Sequence, residues 1–177
     1  MFPSGSNAAS QQGIALPYVT RYMATFGAVA IEGPKWSGKT WMGRNHANAM
    51  VRLDAPGEGE ALRQLAHAAP ETLLTSFDLP LLIDEWQEVP SLWDAVRHLV
   101  DSSHEPGRYL LTGSSTPRAV KPRHSGAGRF AKVRLHTLSS LESGASDGSC
   151  SLSALFEGAT PIASLRSLDV QKAIQLA

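Results

Sequence analysis

The apolar run "FGAVAIE" at 26–32 leads directly into "GPKWSGKT" at 33–40, and no other stretch restricts the fold as strongly. Apolar residues without alternation make a strand covered on both faces, as parallel sheets require. Gly33 and Gly38 then allow backbone angles and a close approach that a Cβ hinders. "TWMGRNHANAM" follows without proline and reads as helix, weakened by Gly43. A strand, a glycine loop and a helix opening with Lys39 and Thr40 form the G-x-x-x-x-G-K-[ST] arrangement in its required context. Its inward amides cradle phosphate oxygens at a helix N-terminus. Lys39 reaches the β and γ phosphates, and the Thr40 hydroxyl ligates magnesium. Gly33, Pro34, Lys35, Trp36, Ser37, Gly38, Lys39, Thr40 and Trp41 are therefore read as the nucleotide-contacting segment, with ATP and Mg2+ as cofactors. The pattern itself does not fix Lys35 or Trp36. The plain alternative, a glycine turn with an incidental Lys-Thr, lacks a reason for the flanking strand and helix.

Residues 1–16 read as a flexible arm, rich in Ser, Gly, Asn and Gln up to residue 13. "LPYVTRYMATF" spaces Val19, Met23 and Phe26 as a helix does. A second strand is read at "VRLD" (51–54), and a helix in "GEALRQLAHAAP" that Pro70 terminates. "LPLLIDEW" is a third strand, apolar and then abruptly acidic. "PSLWDAVRHLVDSS" carries Leu92, Trp93, Val96, Leu99 and Val100 on one helical face. "RYLLTGSS" and "AKVRLHTL" supply two more strands. Strands alternating with helices predict a three-layer α/β sandwich around a mainly parallel sheet, with ligands at the carboxyl ends of the strands. The polar features fall at those ends.

A phosphate loop of this kind needs a carboxylate on a nearby strand to hold magnesium, and "LLIDE" offers Asp84. The adjacent Glu85 can polarise a water for in-line attack on the γ-phosphate. Strand ends commonly carry solvated acids; the upstream loop gives this pair its meaning. Thr112, with Ser114 as alternative, is placed to orient the attacking water, although a turn of small residues has the same composition. Arg118, Lys121, Arg123, Arg129 and Lys132 follow in a basic, glycine- and proline-rich stretch. One reading is an arginine finger, Arg129, offered to a neighbouring copy's site and worth about 10³–10⁵ in rate. A second is a lid over the nucleotide, and a third is a solvated loop.

Sixteen basic residues balance sixteen acidic ones, so net charge does not indicate nucleic acid as a partner. The single cysteine, Cys150, rules out an internal disulfide and a cysteine metal cage. The six histidines lack metal-ligand spacing. Trp86 and Trp93 read as core or interface anchors. The chain shows neither a membrane-spanning run nor a secretory signal, which sets a cytoplasmic expectation.

"FGAVAIEGPKWSGKTW", "LLIDEWQEVPSLWDAVRHLVD", "LLTGSS" and "HSGAGRFAKVRLHTLSSLESG" together resemble the AAA-superfamily ATP-binding proteins of bacteria and archaea that carry a C-terminal domain of the DUF4143 type. The resemblance runs over roughly 17–160, and the order and spacing of its blocks make it specific. It implies an additional-strand P-loop ATPase core over 17–143. Gly33, Gly38, Lys39 and Thr40 would form the Walker A element and Asp84 and Glu85 the Walker B pair. A sensor position would fall in 112–115, with Arg129 in the Gly-Arg block. Such proteins continue into a second, nuclease-like domain, whereas 144–177 read here as a linker and the truncated start of a C-terminal region.

Three functions compete on these residues: Mg-dependent ATP hydrolysis regulating an absent output domain or partner, a non-hydrolysing nucleotide switch that controls assembly, and a small phosphotransferase with a basic lid. Asp84-Glu85 favours the first. No Asn/Thr-Lys-x-Asp motif is present, which favours adenine over guanine, and "YVTRY" is placed to approach the base. ATP and ADP are the expected ligands, and a homo-oligomer follows if the arginine acts in trans.

Overall fold

The computed structural model describes residues 14–114, 126–143, 146 and 152–158. Ala15–Thr137 form one compact unit. Its elements are α1 (Leu16–Met23), β1 (Ala28–Gly33), α2 (Lys39–Arg44), β2 (Ala49–Arg52), α3 (Glu58–Ala68), α4 (Pro70–Thr75), β3 (Leu81–Asp84), α5 (Ser91–Ser103), β4 (Tyr109–Ser114) and β5 (Phe130–Arg134). A single 3-10 turn, Trp86–Glu88, separates β3 from α5. The sheet order is β2-β3-β4-β1-β5, and all four pairings are parallel. The predicted α/β class and parallel sheet are what the chain adopts. β4 lies between the glycine-loop strand and the acidic strand, the inserted strand that the additional-strand type requires.

The period of two along each strand divides the core into two layers. Val29, Ile31, Leu82, Leu110, Ala131 and Val133 face one way and meet Val19 of α1 and Met42 of α2. Ala28, Ala30, Leu81, Ile83, Tyr109 and Leu111 face the other way and meet α3, α4 and α5. β1, β3 and β4 are buried on both faces, which explains their unbroken apolar runs. β5 is an edge strand, and Lys132 and Arg134 stay exposed while Ala131 and Val133 are buried.

Four local readings change. The helix after the glycine loop has six residues and ends at Arg44, with Asn45 as its cap, so the second strand begins at Ala49 rather than at 51. Gly43 does more than weaken that helix. A Cβ there would lie 2.7 Å from Leu82 Cδ1, so its absence lets α2 sit against β3. Pro70 does stop α3, but it also starts α4, where its missing N–H is no loss. Leu16 already belongs to α1, inside the segment read as an arm. Residues 1–13 and 115–125, including Arg118, Lys121 and Arg123, lie outside the described residues, as does Cys150.

Among the described residues, Ile14, 138–143, 146 and 152–158 belong to a second unit that contains α6 (Leu152–Phe156). There the Ser139 amide and hydroxyl, with the Ile14 amide, donate to Glu142 and hold its carboxyl below the usual value. No helix among the described residues is long and apolar enough to cross a membrane.

Trp93 is 1% exposed. It stacks on Phe130 at 4.1 Å and meets Trp86 at 5.0 Å, joining α5, β5 and the turn after β3. Trp93→Ala is expected to cost about 3–5 kcal/mol, read from the midpoint of guanidinium unfolding.

Candidate functional site

The strand register determines which side chains meet. Thr112 of β4 aligns with Asp84 on one side and Ile31 on the other. Aligned residues of neighbouring parallel strands share a face, so Asp84 and Thr112 end on the face that α2 covers. Thr40, in the first turn of α2, reaches down to them. Its Oγ1 donates to Asp84 Oδ1 at 2.9 Å and lies 3.2 Å from Oδ2. The Thr112 hydroxyl also donates to Asp84 Oδ1. Asp84 is 4% exposed and Thr112 is fully buried. The hydroxyl expected to orient a water is therefore engaged by the aspartate instead. Ser114 pairs with Gly33 at the strand end.

The loop stands over this cluster. Gly38 has φ +82° and starts α2, a backbone angle that L side chains resist. Trp36 takes φ +70° despite its side chain. A Cβ at Gly33 would come within 2.7 Å of Ser37 Oγ. Lys39 is 7% exposed and crosses the loop to donate to the Pro34 carbonyl at 2.8 Å. Of the amides of Lys35, Trp36, Ser37 and Gly38, only that of Ser37 meets a backbone acceptor among the described residues, Pro34 O at 3.3 Å. Ser37 Oγ is buried without a partner. Free amides, an orphan hydroxyl and a cation inside one tight loop fit the oxygens of a polyphosphate. A buried carboxylate beside two hydroxyls, with no ion pair among the described residues, is the hard oxygen set that magnesium takes.

Glu85 follows at once and adopts φ +56°, the left-handed region. A residue of this kind is uncommon there, and such strain concentrates at functional sites. Its carboxylate accepts from Gln87 Nε2. Gln87 is absent from the sequence reading, although a glutamine two residues beyond the acid, in a tight turn, was the available signal.

The structure separates other expected residues from this rim. Arg129 O accepts from Ala28 N, at the opposite end of β1 from Gly33, about 17–20 Å away along the strand. Its guanidinium binds Asp101 of α5 at 2.6 Å and holds that carboxyl below its ordinary value. Arg129 therefore does not serve the loop of its own chain. Trp36 is 91% exposed and Trp41 half-exposed, and neither stacks on another ring among the described residues. Lys35 lies over the Trp36 ring at 5.7 Å. Among the described residues, no three His, Cys, Asp or Glu gather as a metal cluster.

The family model of the AAA domain matches residues 25–143. The chain belongs to the AAA domain family. As an AAA domain it is a nucleotide-binding, ATPase-type P-loop module. Two curated relatives of this AAA chain, the uncharacterized proteins Rv2008c of Mycobacterium tuberculosis and Mb2031c of Mycobacterium bovis, are each 33% identical over 121 residues. Those matches cover 67% of this chain and 27% of theirs, so the chain spans about a quarter of their length. A solved structure of C. elegans PCH-2 is similar at TM-score 0.37 and 14% identity, covering 77% of this chain and 41% of that one.

Thr112→Val keeps the shape and deletes one donor to buried Asp84. Its expected cost is about 1.5–3 kcal/mol, the range for a hydrogen bond to a charged group, measured by urea unfolding without nucleotide. A change below about 0.5 kcal/mol, the scale of an ordinary surface substitution, would mean the hydroxyl does not support the aspartate.

Proposed function

We propose that this AAA domain binds ATP with magnesium and hydrolyses it to ADP and phosphate. The observation that carries the proposal is the convergence of Thr40 and Thr112 on Asp84 beneath the loop of Lys39. The loop amides and the Lys39 ammonium bind the β and γ phosphates, Lys39 exchanging the Pro34 carbonyl for phosphate oxygens. Thr40 and Asp84 are the residues that would hold a magnesium ion, which would supply charge neutralisation at the phosphate oxygens. Thr112 keeps Asp84 aimed from beneath. Glu85 accepts a proton from a water that attacks the γ-phosphorus in line, and the bond to the bridging oxygen breaks toward ADP.

Arg129 lies on the far rim, so among the described residues of a single copy the cations at the loop are buried Lys39 and exposed Lys35, and no arginine. We assign Arg129 to a neighbouring copy's site, after exchange of its bond to Asp101. This favours slow turnover by the isolated chain and a nucleotide-controlled assembly, and hydrolysis then regulates an output domain outside this chain or a partner. The non-hydrolysing switch is the second reading, supported by the same position of Arg129.

Phosphate release under Mg·ATP tests the proposal. Lys39→Ala is expected to lose ATP binding. Glu85→Gln is expected to bind normally and turn over about 10²–10³ times more slowly, the scale of a lost preorganised catalytic contact. Tight binding with no turnover at any protein concentration would establish the switch instead. Mixing Arg129→Ala with Lys39→Ala protein is expected to restore activity, because each supplies what the other lacks. No recovery would remove the trans arginine.

A further inference from the structure

We infer that Gln87 is a positioning residue for Glu85, locked in place by the end of β4. This rests on the reading of Glu85 as the base. A carboxylate only accepts hydrogen bonds, so the Gln87 amide must turn its NH2 toward Glu85, and its Nε2 donates there. That orientation leaves Gln87 Oε1 buried with no partner. A buried orphan acceptor costs free energy, so this rotamer serves the bond to Glu85 and not the stability of the fold. The amide is wedged against β4. A Cβ built on Gly113 would lie 2.6 Å from Gln87 Oε1 and 3.0 Å from Trp86 Nε1. Gly113 is therefore the residue whose missing side chain lets the amide in. It stands beside Thr112, which holds Asp84. Two neighbouring residues of β4 thus set the two acids: Thr112 binds Asp84 directly, and Gly113 seats the glutamine that turns Glu85. The left-handed backbone at Glu85 makes this necessary. Its side chain leaves the alternation of β3, so strand geometry no longer aims it.

The test combines spectroscopy with kinetics on the whole chain. In nucleotide-free protein, Glu85→Ala is expected to move the side-chain amide protons of Gln87, observed by 15N-edited NMR. In the hydrolysis assay, Gln87→Ala is expected to lower kcat at least tenfold while the Kd for ATP stays within twofold. Gly113→Ala, which pushes the amide aside, should do the same. The double variant should be no slower than Gln87→Ala, since both act through one side chain. Unmoved Gln87 resonances, a Gln87→Ala rate within twofold of wild type, or defects that multiply in the double variant would each overturn the inference. A Glu85→Gln protein as fast as wild type would sink the base assignment and this inference together. An inactive Glu85→Gln beside a fully active Gln87→Ala sinks this inference alone.

Discussion

One buried carboxylate organises the molecule. Asp84 sits at the end of a fully covered strand, where an unpaired charge is not tolerated, and two threonine hydroxyls make it acceptable. One comes from α2 and the other from β4, so a single side chain ties the glycine-loop helix to two strands. Fold and site are the same contact. If the strand order differed, Thr112 would not lie beside Asp84, and if α2 stood further from the sheet, Thr40 would not reach it. Gly43 permits that approach by offering no side chain to Leu82.

The polar rim is also where the backbone departs from regular geometry. Trp36, Gly38 and Glu85 all take positive φ within the loop and the strand end that face the expected phosphates. Core packing supports this strain. The layer built on Trp93, Tyr109 and Leu111 holds the strands below it rigidly enough for the turns above to keep uncommon angles. The chemistry and the core divide along the strands, with apolar residues through most of their length and polar ones, Asp84 and Thr112, toward their carboxyl ends.

Much of this was legible in the sequence because it depends on short-range rules. Short apolar runs at 28–31 and 81–83, bounded by polar residues and turn signals, fit strands covered on both faces, and the Gly-Lys-Thr run fixed a loop and a helix start. The pairing of Thr112 with Asp84 was not legible, because it arises from strand order, and nothing local in "LLTGSS" distinguishes a water-orienting hydroxyl from one that clasps an aspartate. The rim on which Arg129 lies was not legible for the same reason: its place before β5 was readable, but the parallel direction of β5 puts it at the opposite rim from its own chain's loop. α4 was lost because Pro70 is equally at home ending one helix and opening the next. Gln87 was missed because its meaning depends on the left-handed turn at Glu85, which propensity does not foresee.

The central claim is that the loop amides face a triphosphate anchored through Asp84, and backbone amide shifts during a Mg·ATP titration measure it most directly. The amides of Lys35 through Thr40 are expected to move most and saturate together. Asp84→Asn is expected to weaken the magnesium-dependent part of that response while the fold stays intact. Saturation with the largest shifts elsewhere on the sheet, and these amides unmoved, would contradict that claim.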